Sequence, residues 1–149
     1  MKQIEYREEL TAEDYNKLRE GAGWKNLTVK QAARGIENTT FLISAWSGRQ
    51  AVGMGRALFD YGYTAYIGDV IIAPEYQGKG IGYHIVQGLM DKVKNAADEG
   101  DGIMFSLVAA EGKEEFYEKL GFRRRPSEGL GAGMSAWIEV REDCGRDKN

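Results

Sequence analysis

Val70-Ile71-Ile72-Ala73-Pro74-Glu75-Tyr76-Gln77-Gly78-Lys79-Gly80-Ile81-Gly82 is the stretch on which the reading of this chain turns. An apolar, β-branched run stops at a proline, which cannot donate to a sheet ladder. A turn rich in glycine follows. From Gly80 onward, Ile81, Ile85, Val86, Leu89, Met90 and Val93 recur at helical spacing. The order is therefore buried strand, tight turn, amphipathic helix. Backbone N–H groups bared at such a junction, with no side chains in the way, form a seat for a phosphate.

Two better-known glycine motifs do not fit. A P-loop requires Gly-x-x-x-x-Gly-Lys followed by Ser or Thr, whereas Lys79 is followed by Gly80. A dinucleotide fingerprint opening at Gly78 and Gly80 meets Tyr83 where its third glycine belongs. The elements before the turn also read as a meander of strands rather than the start of a βαβ unit.

Upstream, Ile4 and Tyr6 alternate with Gln3, Glu5 and Arg7 as in a short strand. Thr11 stands three residues ahead of Asp14, close to a capping box, and opens a helix that Gly21-Ala22-Gly23 ends. A second helix is expected from the Thr28 cap to about Ile36. Residues 41–46 and 51–59 are β-like runs around Ser47-Gly48-Arg49-Gln50, a hairpin signal. Asp60-Tyr61-Gly62-Tyr63 is another turn, and residues 66–72 form the next strand.

Beyond the long helix, Gly100-Asp101-Gly102 leads into an expected strand over 103–108. A short helix over 113–120 stops at Gly121, which suits a C-terminal cap. Residues 134–140 read as the closing strand, and the polar tail 142–149 is expected to fray. No repeat or linker divides the chain. Residues 1–149 thus read as a single α/β (α+β) domain with a mixed, mostly antiparallel central sheet flanked by helices.

Composition narrows the function. The formal charge of −3 offers no basic field for nucleic acid or anionic lipid, so neither a nucleic acid nor a membrane is expected as a partner. One cysteine, Cys144, forms no internal disulfide, and with one histidine, His84, a zinc site of the cysteine–histidine type is excluded. No metal is expected. The N-terminus is charged where a signal peptide needs an apolar run, and no stretch approaches a membrane span. The economical expectation is a cytoplasmic protein.

Gln77, Gly80 and Gly82 fill the pattern Gln-x-x-Gly-x-Gly. Here the chain resembles the GCN5-related N-acetyltransferase (GNAT) family, whose members bind acetyl-CoA at this motif. The run 70–76 looks like the family's fourth strand and its exit. Phe116-Tyr117-Glu118-Lys119-Leu120-Gly121-Phe122 looks like its late helix and turn. Asp69-Val70 and the ending Gly131-Ala132-Gly133-Met134 are somewhat similar to the plant serotonin-acetyltransferase-like members. In element order the resemblance spans essentially the whole chain, with its motifs concentrated between Asp69 and Phe122.

The resemblance implies acetyl-CoA as co-substrate. It assigns Gln77, Gly78, Lys79, Gly80, Ile81 and Gly82 to the pyrophosphate. Val70, Ile71 and Ile72 would pair with the pantetheine arm as a surrogate strand, and Phe116 would belong to the same cofactor site. A homodimer is the oligomeric state the family suggests. Many members carry an asparagine before the late-helix tyrosine to hold the pantetheine arm; in that register this chain has Ala110 and Lys113, so that contact is absent.

Acetyl transfer to an amine poses two proton problems. With a pKa near 10.4, only about one lysine-like amine in 2,500 is neutral at pH 7, a deficit of about 4.6 kcal/mol. The departing thiolate then needs a proton. The resemblance maps the acid onto Tyr117, a phenol that stays protonated at neutral pH; a packing tyrosine is the structural alternative. Asp69, inside a β-run where an unpaired carboxylate is costly to bury, is the candidate base. Its structural alternative is a strand aspartate bonded to backbone or to a basic side chain. His84 has no identifiable partner for catalysis. Trp24 could line the amine pocket or pack in the core, and Arg123-Arg124-Arg125 could reach the coenzyme's 3′-phosphate or form a solvated turn.

The function expected is transfer of acetyl from acetyl-CoA to a primary amine, a small molecule before a protein, by direct attack in a ternary complex. The alternatives are a non-catalytic acyl-CoA sensor and a protein lysine or N-terminal acetyltransferase.

Overall fold

A computed structural model describes residues 3–141. The elements in order are β1 (Ile4–Arg7), α1 (Ala12–Gly21), α2 (Val29–Glu37), β2 (Phe41–Ser47), β3 (Gln50–Phe59) and β4 (Thr64–Ile72). A single 3-10 turn (Pro74–Tyr76) then leads to α3 (Ile81–Ala96), β5 (Met104–Ser106) and α4 (Glu114–Glu118). Both expected N-caps are made. The Thr11 hydroxyl oxygen accepts from the Asp14 amide at 3.1 Å and donates to its carboxylate at 3.0 Å. Thr28 accepts from the Gln31 amide at 3.1 Å. Each such cap stabilises its helix by about 1 kcal/mol.

The strands form one sheet in the order β1-β2-β3-β4-β5, antiparallel up to β4 and parallel between β4 and β5. One face is covered by α3, whose Ile81, Ile85, Leu89 and Val93 join Ile43, Val52, Ala57, Phe59 and Ile67 in the main core. The other face carries α1 and α2, where Tyr15, Leu18 and Ala32 meet Leu42, Trp46, Met54 and Ile71. The helix α3 lies unusually close to the sheet. A Cβ at Gly55 would stand 2.6 Å from Ile85 Cγ2, and one at Gly88 would stand 2.7 Å from Ile43 Cδ1.

Along β4 the side-chain alternation changes phase. Ala65 and Ile67 enter the α3-side core, whereas past the middle of the strand Val70 and Ile72 do so and Ile71 enters the opposite one. The ladder explains this: Arg56 pairs with Gly68 and Met54 with Ile71, so Gly55 alone faces both Asp69 and Val70. This is a β-bulge, with Asp69 at φ +50 as its left-handed residue.

Pairing between β4 and β5 stops ahead of the bulge. The two strands pair only at Thr64, Ala65 and Tyr66, and β5 ends at Ser106 instead of running over the expected 103–108. Past Tyr66 and Ser106 no further ladder pair is made between the two strands. The closing strand expected at 134–140 joins no ladder, and Met134 stands 93% exposed beside exposed Trp137, Ile138 and Val140. A β pattern without a neighbouring strand makes no ladder, and here the segment's Glu139 pairs instead with Lys25 at 3.0 Å. The expected frayed tail, with Cys144, lies outside the described residues. Among the described residues, no helix is long and apolar enough to cross a membrane.

Gly55→Ala is expected to lower stability by about 1–3 kcal/mol, the usual consequence of overpacking. Urea denaturation checks it; an unchanged midpoint would mean that α3 is free to move off the sheet.

Candidate functional site

The glycine turn has the form the sequence implies, for two separate reasons. Gly78 (φ +78) and Gly80 (φ +82) are left-handed, and a Cβ at either would meet nothing within 4 Å. Glycine is needed there for the sign of φ and not for space. Gly82 is different: its Cβ would lie 3.3 Å from the Phe116 ring, so the turn and α4 are packed together.

Gly80 is the N-cap of α3, and the helix's first bond runs from the His84 amide to the Gly80 carbonyl at 3.0 Å. The amides of residues 81–83 therefore have no acceptor within the helix. With the macrodipole, they favour an anion by roughly 0.3–1 kcal/mol, up to about 2 where partly buried. Gln77 has a structural job in the same turn: its side-chain amide donates to the Ile72 carbonyl at 3.1 Å, tying the end of β4 to the turn. The Lys79 ammonium lies over the Tyr76 ring, 5.4 Å from its centroid. The two residues line an open hollow of about 360 Å³ with Gln50 and Glu75.

Leading into that turn, residues 70–72 of β4 form a backbone edge that β5 does not pair. Val70, Ile71 and Ile72 are thus placed at a gap in the sheet that ends at the amides of α3. The geometry suits an extended, amide-bearing chain terminating in a phosphate.

Asp69 lies at the bulge with its side chain 13% exposed. Its Oδ2 accepts from the Tyr15 hydroxyl and, at 2.7 Å, from Arg56 Nε; its Oδ1 accepts from Arg19 at 3.4 Å. Both oxygens are engaged. The donors are themselves held: Arg56 also donates to the Gly35 carbonyl at 3.3 Å and to Thr39 Oγ1 at 3.1 Å. Arg19 donates twice to the Lys25 carbonyl, at 3.0 and 2.8 Å. Burial, then the hydrogen bond and charge of Asp69, push the Tyr15 phenol up to about 12 against the opposing effect of the two arginines.

Arg56 and Asp69 form one end of a second hollow, of about 190 Å³, whose other lining residues are Leu58, Tyr66 and Gly68. Tyr117 is buried and meets Phe116 and Phe122 edge-on, with ring centroids 4.9 and 6.0 Å away. Burial raises its phenol to about 12, and nearby Tyr66 pushes in the same direction. Tyr66 therefore connects the two sequence-derived candidates, because it lines the hollow that Asp69 closes and acts on Tyr117.

The weaker candidates lie elsewhere. His84 stacks on Tyr6 at 3.8 Å. Trp24 packs beside the α1–α2 core, and the Arg19 guanidinium sits 5.5 Å over its ring; it does not line the hollow. Arg124 pairs with Glu118 at 2.8 Å, and Arg125 donates to the Gly131 carbonyl at 2.7 Å. Sequence reasoning missed Tyr15, Arg19, Arg56 and Tyr66. One signal was available: the apolar alternation Ala65, Ile67 and then Val70, Ile72 skips a beat at Asp69, which marks a bulge. A carboxylate in that run also demands buried donors, and Arg56 stands in the adjacent strand.

Comparison with known proteins agrees with this geometry. The acetyltransferase (GNAT) domain family matches residues 6–137. The uncharacterized N-acetyltransferase ycf52 of Pyropia yezoensis is 30% identical over 117 residues, which cover 76% of this chain and 65% of that protein. A GCN5-related N-acetyltransferase of Arabidopsis thaliana, described as chloroplastic, is 38% identical over 52% of this chain and 29% of its own length. The chain thus spans under two thirds of the length of these relatives.

Among solved structures, the probable acetyltransferase SA2161 of meticillin-resistant Staphylococcus aureus superposes with a TM-score of 0.80 at 27% identity, covering 93% of this chain and all of its own. Glucosamine-6-phosphate N-acetyltransferase of Arabidopsis thaliana shares the fold at a TM-score of 0.69 and 20% identity, over 93% of this chain and 100% of its own. With the family match running over most of its sequence and the splayed β4, glycine turn and α3 in the corresponding order, this chain belongs to the GNAT acetyltransferase family.

Proposed function

We propose that the protein transfers the acetyl group of acetyl-CoA to a small-molecule primary amine by direct attack in a ternary complex. The observation that carries this reading is the edge of Val70–Ile72 that β5 leaves unpaired, leading through the glycine turn to the helix-start amides of residues 81–83. That edge suits the amides of pantetheine, and the turn suits the diphosphate. The thioester then comes to lie near Tyr117 and the hollow lined by Leu58 and Tyr66. At about 190 Å³ the hollow has room for a small amine.

The neutral amine attacks the thioester carbonyl, forming the C–N bond as the C–S bond breaks and the sulfur leaves as thiolate. With its pKa at about 12, Tyr117 holds its proton at neutral pH and offers it to that sulfur as a charge-assisted hydrogen bond. The nitrogen must also lose a proton. Asp69, the candidate base from sequence, is held as a carboxylate by three donors, two of them guanidinium groups that oppose its protonation. Water at the open hollow is the better first acceptor.

A homodimer is proposed as the working unit. The support is the segment 134–140, where Met134, Trp137, Ile138 and Val140 are all exposed. Ile138→Glu is expected to convert dimer to monomer in light scattering; a wild-type monomer at all concentrations would refute the dimer.

Tyr117→Phe is expected to lower kcat roughly 10- to 1,000-fold while leaving the affinity for acetyl-CoA within about threefold, as for loss of a proton donor. Unchanged turnover would remove Tyr117 as the acid. Gly80→Val is expected to abolish coenzyme binding in calorimetry, because a β-branched residue resists the left-handed conformation. Amine-independent binding with no CoA release across an amine panel would favour the sensor instead.

The phenols supply a pH test. Unfolded tyrosines ionise near 10, whereas Tyr15 and Tyr117 ionise at about 12 in the fold. Their stabilising contribution is fully present below pH 10 and is lost as pH rises through about 12. In a near-ultraviolet phenolate titration, two of the eight tyrosines should ionise last, near 12. Ionisation of all eight together near 10 would contradict the burial of both.

A further inference from the structure

We propose that Asp69 is a positioning residue: clamped by Tyr15, Arg19 and Arg56, it holds the β4 bulge in place and so presents the backbone edge of Val70–Ile72 to the coenzyme. The inference rests on the acetyl-CoA reading above for its ligand, and on the bulge alone for its geometry.

Asp69 is left-handed at φ +50, a conformation an ordinary L-residue adopts only at a cost, and aspartate and asparagine tolerate it better than most. Something must favour it here. Were β4 regular, residue 69 would follow Ala65 and Ile67 onto the α3 face, where the Gly55 position already touches Ile85 and Leu89. The carboxylate would then be buried among apolar side chains without a partner. The bulge reverses the phase and carries it to the opposite face, where three donors converge from two elements, Tyr15 and Arg19 on α1 and Arg56 on β3.

Those donors are fixed independently of Asp69, Arg19 by the Lys25 carbonyl and Arg56 by Gly35 and Thr39. The clamp is therefore preorganised. Its consequence appears on the far side of the strand, because pairing with β5 stops at Tyr66, just before the bulge. The phase change that satisfies the carboxylate is the same one that opens the gap beside residues 70–72.

Tyr15 makes the inference separable from catalysis. It is 1% exposed and cannot touch a ligand, yet its hydroxyl donates to Asp69. Calorimetric titration with CoA and amide hydrogen exchange are to be run on wild type, Tyr15→Phe and Asp69→Asn. The asparagine keeps the size and the tolerance of left-handed backbone but loses the charge.

For Tyr15→Phe, CoA affinity should fall roughly fivefold, a part of what one charge-assisted hydrogen bond contributes, because two donors to Asp69 remain. For Asp69→Asn it should fall more than about tenfold. In both, amides of residues 70–72 should exchange faster, and in Tyr15→Phe kcat at saturating acetyl-CoA should stay within about threefold. Wild-type CoA affinity and exchange in folded variants would overturn the proposal. So would a collapse of kcat in Asp69→Asn at unchanged affinity with a flattened pH profile, which would make Asp69 the base. If Asp69→Asn does not fold, Tyr15→Phe decides. If wild type ignores CoA, the acyl-transfer reading fails, and exchange at 70–72 still decides whether the clamp holds the bulge.

Discussion

The carboxylate of Asp69, buried between two guanidinium groups and a phenol, determines where the central sheet bends. Taking a charge out of water is expensive, and a low-dielectric ion pair offsets the cost only with good geometry and all lone pairs occupied. Here the donors meet both oxygens, but only if Asp69 turns toward α1. One extra residue in β4 provides that turn. The strand then leaves β5, and the sheet acquires an unpaired inner edge that ends at a helix N-terminus. Electrostatics on one face of the strand thus creates a binding surface at its margin.

The glycines of this chain do two unlike jobs. Gly55 and Gly88 are spacers that let α3 approach the sheet closely enough to bury Ile85 and Leu89 completely. Gly78 and Gly80 stand in open space and are needed because their backbone is left-handed. The first pair fixes how deep the helix sits, and the second aims its first amides. Together they align the mouth of α3 with the end of β4, with Gln77 bonding the two across the turn.

Around the hollow lined by Arg56, Tyr66 and Asp69, the charged groups are paired and one phenol is shielded. The arginines of the clamp are matched by Asp69, and the phenol of Tyr117 is held protonated by burial. A site of fixed dipoles and a shielded donor suits a reaction whose developing charge sits on a leaving sulfur.

Local signals were enough for much of the fold. The caps at Thr11 and Thr28, the hairpin at 47–50 and the long helix after Gly80 depend on neighbours within a few residues, so they could be read directly. The glycine turn was legible for the same reason, since the sign of φ is a property of one residue. What the chain's own order could not reveal were pairings across space. The roles of Arg19 and Arg56 exist only because α1, β3 and β4 converge on one carboxylate some 50 and 13 residues away in sequence. The short β5 and the unladdered segment 134–140 likewise followed from which edges found partners. Backbone preference and side-chain periodicity are encoded locally; the compensation of a buried charge and the pairing of a strand edge are properties of the assembled sheet.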